Sequence, residues 1–160
     1  MKIASSPVYL DTSALAKLYL PESGSDEMDD ALRGRRDVIV SDLAITELTS
    51  AVARRVREAD LSAAHGRRIY QRVLSDVGAG EFRRAEITAN SHREAERLLM
   101  GVGRRVPLRA ADALHLGMAG LLGVRVLVTF DQRMRSAAEA LGTLDVVGGG
   151  ASAPGRGRRG

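Results

Sequence analysis

Twelve residues near the start of the chain, VYLDTSALAKLY (8–19), contain the pattern that decides the fold. The apolar run Val8–Leu10 predicts a short buried strand, and the segment after it has the spacing of a helix that ends before Pro21. One acid, Asp11, separates the two elements. This acid therefore stands at the carboxyl end of a predicted strand.

The same order of strand, acid and helix recurs near the other end of the chain. The apolar run 124–130 is the strongest strand signal in the sequence, Asp131 follows it, and a helix is predicted over 132–141. Between these regions, strands are predicted at 38–40 and 82–87, and helices at 25–33, 42–59, 60–78, 88–100 and 109–122. An edge strand is predicted after the second region, at 144–147. Asp42 is the predicted N-cap of the helix 42–59.

This alternation predicts an α/β domain. Its central sheet is expected to be mainly parallel, with four to five strands and with helices on both faces. In such sheets ligands bind beyond the carboxyl ends of the strands, and Asp11 and Asp131 both fall there.

The composition excludes several classes of function. Cysteine is absent, so the chain has no disulfide, no thiolate metal ligand and no cysteine nucleophile. Tryptophan is also absent and the few Tyr and Phe are scattered, which argues against a base-stacking platform for single-stranded nucleic acid. Because no apolar run reaches the length of a membrane span and no signal-peptide pattern follows Lys2, a cytoplasmic protein without a membrane segment is predicted.

The sequence divides into one predicted domain, residues 1–147, and a tail, 148–160. A chain of 160 residues with 44% hydrophobic residues suits a single core. The tail is rich in Gly and Arg and has no acid, so it is predicted to be disordered. Three of the surplus positive charges of the chain lie in this tail, and the remaining residues are nearly neutral. Net charge alone therefore does not indicate nucleic-acid binding.

Four acids are candidate site residues: Asp11, Glu47, Asp112 and Asp131. Asp11 and Asp131 each precede a helix and Asp112 lies near a helix start, so helix capping or the helix dipole explains each of these three as well as a site does. Glu47 lies beyond the first turn of its helix, where neither explanation applies. The alternative for Glu47 is a buried ion pair with an arginine.

Convergence of the four acids would require a cation. Carboxylates 4 Å apart repel by roughly 4 kcal/mol per pair at an effective dielectric constant of about 20. An all-oxygen donor set favours Mg²⁺, with Mn²⁺ as a substitute, over Zn²⁺. Such an ion activates a bound water and polarises a phosphoryl oxygen, so the set of acids indicates phosphodiester chemistry.

The polar neighbours of these acids have two interpretations each. Three hydroxyl side chains flank Asp11 and Asp131: those of Thr12, Ser13 and Thr129. They suit the orientation of carboxylates or water, although Thr12 and Ser13 are also ordinary residues for a helix start. Arg133 either holds a carboxylate or phosphate or lies on the surface. His115, three residues after Asp112, is interpreted as a histidine of the core or its boundary rather than a ligand or base.

The chain resembles the PIN-domain ribonucleases, and among them the VapC-type toxins of type II toxin–antitoxin systems. The resemblance rests on four segments: YLDTSALAKLY (9–19), ITEL (45–48), AADALHL (110–116) and LVTFDQR (127–133). Their order and spacing follow that family from residue 8 to about residue 147. The resemblance implies a three-layer α/β/α sandwich, whereas the tail departs from the family pattern.

The resemblance also implies an activity and partners. The activity is that of a Mg²⁺- or Mn²⁺-dependent endoribonuclease, with tRNA or rRNA as candidate targets. Asp11 and Asp112 would be the principal metal ligands. Glu47 and Asp131 would complete the pocket directly or through water, and Thr129 would support it. A homodimer and a small cognate antitoxin protein are the implied assemblies.

Three other functions remain open at this stage. A receiver-like regulatory domain also combines an acid pocket with Mg²⁺, but it normally needs a lysine after a late strand, and the chain has only Lys2 and Lys17. A phosphatase with an aspartate nucleophile normally has a second acid where this chain has Ser13. A catalytically idle binding protein of the same fold is the third alternative.

Overall fold

The structure is a computed structural model that describes residues 3, 6–21 and 23–149. In these residues there are five strands: β1 (Val8–Leu10), β2 (Val38–Ser41), β3 (Arg83–Ala85), β4 (Val126–Val128) and β5 (Asp145–Val147). The same residues form seven α-helices: α1 (Thr12–Tyr19), α2 (Ser25–Leu32), α3 (Asp42–Arg57), α4 (Ala63–Gly78), α5 (Ala89–Met100), α6 (Ala110–Leu121) and α7 (Gln132–Leu141). None of these helices is long and apolar enough to cross a membrane.

The five strands form one sheet in the order β3-β2-β1-β4-β5, and every neighbouring pair is parallel. The central strand β1 is in register with both neighbours, because Leu10 pairs with Val40 on one side and Val128 on the other. Asp11 and Thr129 therefore leave the sheet at the same edge. The prediction of an α/β fold with a parallel sheet is confirmed.

Helices cover both faces of the sheet, as the alternation of side chains along β1 requires. Val8 and Leu10 pack on one face with residues of α1 to α4, such as Leu15 and Leu48. Tyr9 points to the other face, where the core is built from residues of α5, α6 and α7. The result is the three-layer α/β/α sandwich that the resemblance implied.

The start of α3 corrects one prediction from the sequence. Ser41, not Asp42, is the N-cap, and its Oγ accepts a hydrogen bond from the Ala44 backbone N–H at 3.1 Å. Strand β2 continues through Ser41, which pairs with Ala85, and the helix begins at Asp42, one residue earlier than a cap at Asp42 would place it. Asp42 lies in the first helical turn instead and pairs with Arg84 at 2.5 Å.

The end of β5 brings Gly148 against β4. Gly148 has a φ of +119°, and a Cβ at this position would lie 2.2 Å from the carbonyl oxygen of Thr129. Gly149 lies beside the ring of Phe130 at an ordinary contact distance. Residues 150–160, which make up the rest of the tail predicted to be disordered, lie outside the described residues.

Candidate active site

Asp11 is the most buried of the four candidate acids and is held by short hydrogen bonds. It is 2% exposed and caps α1, because its Oδ1 accepts from the Ala14 backbone N–H at 2.9 Å and from Ser13 Oγ at 2.7 Å. Its Oδ2 accepts from Thr129 Oγ1 at 2.5 Å. The same Thr129 hydroxyl accepts from the Asp131 backbone N–H at 3.0 Å, so it joins the ends of β1 and β4.

Burial raises the pKa of Asp11 above its usual range, and the hydrogen bonds from Thr129, Ser13 and Ala14 oppose that rise without cancelling it. Its hydrogen-bond partners are hydroxyl and backbone groups rather than cationic side chains. A cation close to this carboxylate would therefore stabilise its charged form.

Asp112 and Asp131 are joined by one arginine. Arg133 Nε donates to Asp112 Oδ2 at 2.7 Å, and its NH2 group lies 3.4 Å from Asp131 Oδ2. Both acids also accept hydrogen bonds from backbone N–H groups at the starts of α6 and α7. The Asp112 carboxylate accepts from the Arg109 backbone N–H at 3.0 Å, and Asp131 Oδ1 accepts from two backbone N–H groups at the start of α7. Of the two interpretations of Arg133, the carboxylate-holding one describes this structure.

Glu47 is held by a histidine rather than by the arginine considered from the sequence. His115 Nε2 lies 3.0 Å from Glu47 Oε2, and the Thr12 hydroxyl donates a short hydrogen bond to the same oxygen. The hydrogen bond from His115 is the largest cause of a lowered pKa at Glu47, ahead of the opposing effect of burial. On its other side, His115 Nδ1 lies 2.9 Å from the hydroxyl of Tyr9.

His115 and Tyr9 are the site residues that the sequence did not assign. His115 is indeed a core residue, at 2% exposure, but it also contacts two candidate site residues, Glu47 and Thr12. A spacing of three residues from Asp112 on α6 was the available signal, because positions i and i+3 share a helix face. Tyr9 gave no signal, because a tyrosine within an apolar strand is ordinary core sequence.

Hydrogen bonds and ion pairs thus link the predicted residues into one cluster at the carboxyl edge of the sheet. Thr12 and Ser13 follow Asp11, Thr129 contacts Asp11, and Arg133 joins the other two aspartates. Within the residues that the structure describes, however, no three histidine or acidic side chains are grouped as a metal site. The four acids therefore lie at the same edge of the sheet without three of them meeting at one point.

A groove and a cavity lie at opposite ends of the sheet. A groove beside Glu47 runs along α3 and is lined by Glu47, Ser50, Ala51, Arg54 and Arg57. A cavity of about 510 Å³ lies at the opposite end of the sheet, beside Val38 and Phe82, and none of the candidate acids lines it. Of these two features, only the groove is lined by a candidate acid, Glu47.

Comparison with known protein families identifies the class to which this α/β/α sandwich belongs. The family model of the PIN domain matches residues 8–140, which include all four candidate acids. The chain belongs to the PIN-domain family.

Its similarity to VapC-type members extends over most of its length. The chain is 35% identical over 143 residues to Ribonuclease VapC46 of Mycobacterium tuberculosis, which covers 84% of this chain and 92% of the relative. It is 33% identical over 161 residues to Ribonuclease VapC35 of the same species, with coverage of 94% and 99%. The VapC-type resemblance drawn from the sequence is confirmed.

Solved structures support the same fold. The chain superposes on M. tuberculosis VapC20, a toxin that cleaves the sarcin-ricin loop, with a TM-score of 0.65 and 18% identity over 81% of this chain and 94% of that one. It superposes on the DNA-bound VapBC complex of Salmonella typhimurium with a TM-score of 0.63 and 15% identity, covering 89% of this chain and 98% of that one. At these identities the matches establish the fold.

Proposed function

We propose that this protein is a Mg²⁺-dependent endoribonuclease, with Mn²⁺ as a substitute ion, that acts as the toxin of a toxin–antitoxin pair. The observation that carries the proposal is the buried Asp11 carboxylate, which ends the central strand in a PIN domain and has neutral hydrogen-bond partners. The VapC names of the relatives support ribonuclease activity, and RNA such as tRNA or rRNA is the proposed substrate.

The residues fit a hard divalent ion in their chemistry. The acids and the hydroxyls around them offer only oxygen donors, which Mg²⁺ prefers, and Mg²⁺ needs only one or two protein carboxylates because it keeps several waters. Asp11 and Asp112 are the proposed ligands. Glu47 and Asp131 are proposed to act directly or through water. Arg133 now neutralises Asp112 and Asp131, so binding of the ion would require this guanidinium to share or leave Asp112.

Each side chain has a distinct proposed task in RNA hydrolysis. When bound, the ion would activate water and polarise the scissile phosphate. Thr129 and Ser13 fix the rotamer of Asp11 through their hydrogen bonds. Glu47 is 35% exposed and ionised, so its carboxylate can accept a hydrogen bond from the attacking water. Arg133 supplies a guanidinium, the group best suited to bidentate contact with phosphate.

The groove along α3 supports a nucleic-acid strand as the substrate. Arg54 and Arg57 line it together with Ser50, and Glu47 stands at its end nearest the acids. A strand whose scissile phosphate lies at the acid cluster would place neighbouring phosphates along these arginines. Phosphate contacts of this kind position a nucleic acid without reading its sequence.

Cleavage that depends on a divalent ion is the direct test of the proposal. The purified full chain is expected to cut total RNA in 5 mM Mg²⁺ or Mn²⁺ and to stop when a chelator is in excess, as seen by gel electrophoresis and mapping of the new 5′ ends. Restoring the metal is expected to restore cutting. Undiminished cleavage in excess chelator would refute the metal-dependent mechanism, and no cleavage under any condition would favour the catalytically idle alternative.

The proposed toxin role implies an antitoxin partner, a homodimeric assembly and a cytoplasmic location. Structural neighbours include a toxin–antitoxin complex from Klebsiella pneumoniae, which supports a small antitoxin as the partner, and a homodimer acting in the cytoplasm is proposed with it. Expression of the chain is expected to arrest bacterial growth, and co-expression of a short adjacent gene is expected to relieve the arrest. Growth arrest that persists with every adjacent short gene would remove the support for an antitoxin.

A further inference from the structure

A chain of buried polar side chains reaches Glu47 from the interior of the molecule. Tyr9 is fully buried in the middle of β1, and its hydroxyl lies 2.9 Å from His115 Nδ1. The two rings meet edge to face, with centroids 5.8 Å apart. His115 Nε2 continues the chain to Glu47 Oε2 at 3.0 Å. Three elements distant in sequence, β1, α6 and α3, are therefore joined by two hydrogen bonds.

The chemistry of the end groups fixes the direction of these hydrogen bonds. An ionised carboxylate only accepts, so the His115 Nε2–H must donate to Glu47. The Tyr9 hydroxyl lies 2.9 Å from His115 Nδ1 and 3.9 Å from Met118 Sδ, and the ring nitrogen is the nearer and stronger acceptor, so the phenolic proton is donated to His115 Nδ1. His115 is then held at both ring nitrogens, a device that fixes the orientation and tautomer of a histidine.

The same contacts leave one oxygen of Glu47 for other partners. His115 and Thr12 both bind Oε2, so they hold the carboxylate by the same oxygen. The side chain of His115 is 3% exposed and that of Glu47 is 35% exposed. His115 is thus too buried, and too fully engaged, to reach a substrate, whereas Glu47 faces solvent.

We propose that His115 is a positioning residue: held by Tyr9, it anchors Oε2 of Glu47 and thereby aims Oε1 at the ion and its bound water. This inference rests on the proposed function, and it assigns the residues that orient Glu47 in the proposed site. Partners of this kind, behind a ligand, typically contribute 10- to 100-fold to metal affinity or activity.

A matched pair of substitutions at position 115 separates positioning from packing. Glutamine carries an amide N–H near the place of the histidine Nε2, whereas asparagine reaches only to the place of Nδ1. His115→Asn is therefore expected to lower kcat for RNA about 10- to 100-fold with little change in KM, and His115→Gln is expected to recover most of that loss. The exposed His92 on α5 gives a control, because His92→Asn should leave kcat unchanged. Equal loss in His115→Asn and His115→Gln, with both folded by circular dichroism, would overturn the proposal.

Metal binding without RNA gives a second readout that does not depend on catalysis. Titration calorimetry with Mn²⁺ is expected to show about 10- to 100-fold weaker binding for His115→Asn and a smaller loss for Tyr9→Phe, which removes only the hydroxyl behind the ring. Unchanged Mn²⁺ affinity in His115→Asn would overturn the proposal. If the unmodified chain cuts no RNA, the proposed function fails, but this binding comparison still decides the role of His115.

The hydrogen-bond direction can be observed on the histidine itself. Long-range ¹H–¹⁵N spectra of the unmodified full chain are expected to show His115 protonated at Nε2, with a resonance that moves in Tyr9→Phe. A ring protonated only at Nδ1 would contradict donation to Glu47 and would overturn the proposal.

Discussion

Asp11→Asn is expected to reduce RNA cleavage in saturating Mg²⁺ by at least about 100-fold, because it removes a charged ligand while leaving an oxygen for the cap of α1. The Oδ1 contacts to Ser13 and Ala14 are compatible with an asparagine oxygen, so the fold should persist. The measurement is the single-turnover cleavage rate of the mapped RNA site for both chains. Asp26→Asn, an exposed acid in the first turn of α2, is the matched control and should cleave at the unmodified rate.

Stability measurements give the Asp11 prediction an independent check. Burial raises the pKa of Asp11 in the folded chain above its value in the unfolded chain. The stabilisation from protonated Asp11 is therefore complete at a pH below the pKa of the unfolded chain, and it is lost as the pH rises through the pKa of the folded chain. Without metal at pH 7, Asp11→Asn should therefore melt at or above the temperature of the unmodified chain. Mg²⁺ should raise the melting temperature of the unmodified chain only. Cleavage by Asp11→Asn at the unmodified rate would show that the site has been wrongly assigned.

Gly148→Ala is expected to lower the free energy of unfolding by about 2–4 kcal/mol, because the new Cβ would lie 2.2 Å from the Thr129 carbonyl oxygen on a backbone with φ of +119°. Relief of this overlap must move β5 away from β4 or displace Thr129. Since Thr129 donates to Asp11, the cleavage rate should fall even at temperatures where the variant is fully folded. Urea denaturation gives the first quantity, and cleavage at 15 °C gives the second.

Gly149→Ala is the neighbouring control. A Cβ at Gly149 would lie 3.7 Å from the nearest atom, in the ring of Phe130, and this glycine has no positive φ. Its free energy of unfolding should change by less than about 1 kcal/mol. If both variants were equally stable and active, the contact between Gly148 and β4 would have no role in the site.

The elements at the site were the easiest part of the fold to predict. The strand, acid and helix at residues 8–19 are adjacent in sequence, and the spacing of their hydrophobic residues predicts each element without knowledge of distant contacts. The first and last residues of the elements were harder to predict, because they depend on pairing between strands that are distant in sequence. Ser41 and Asp42 are both good caps, and pairing of Ser41 with Ala85 selects the former. The predicted strand 124–130 is shortened to Val126–Val128. Thr129 still donates its N–H to Val147, but its hydroxyl turns to Asp11, and Asp131 already caps α7.

The contacts between distant residues were beyond reach of the sequence. The position of Asp11 and Asp131 at one edge of the sheet was anticipated, because parallel strands end at the same edge. The partner of Glu47 was not, because α3 and α6 could meet in many rotations and only the packed structure selects His115. The ion pair of Arg133 with Asp112 remained one of two options for the same reason.

The two outer strands have a consequence for assembly. β3 and β5 are each only three residues long, and their exposed side chains are charged: Arg83 and Arg84 on one, Asp145 on the other. Short strands that carry charge are poor templates for backbone pairing with another chain. An incoming polypeptide, whether a second copy or a different protein, is thus discouraged from extending the sheet and is directed towards the helical layers.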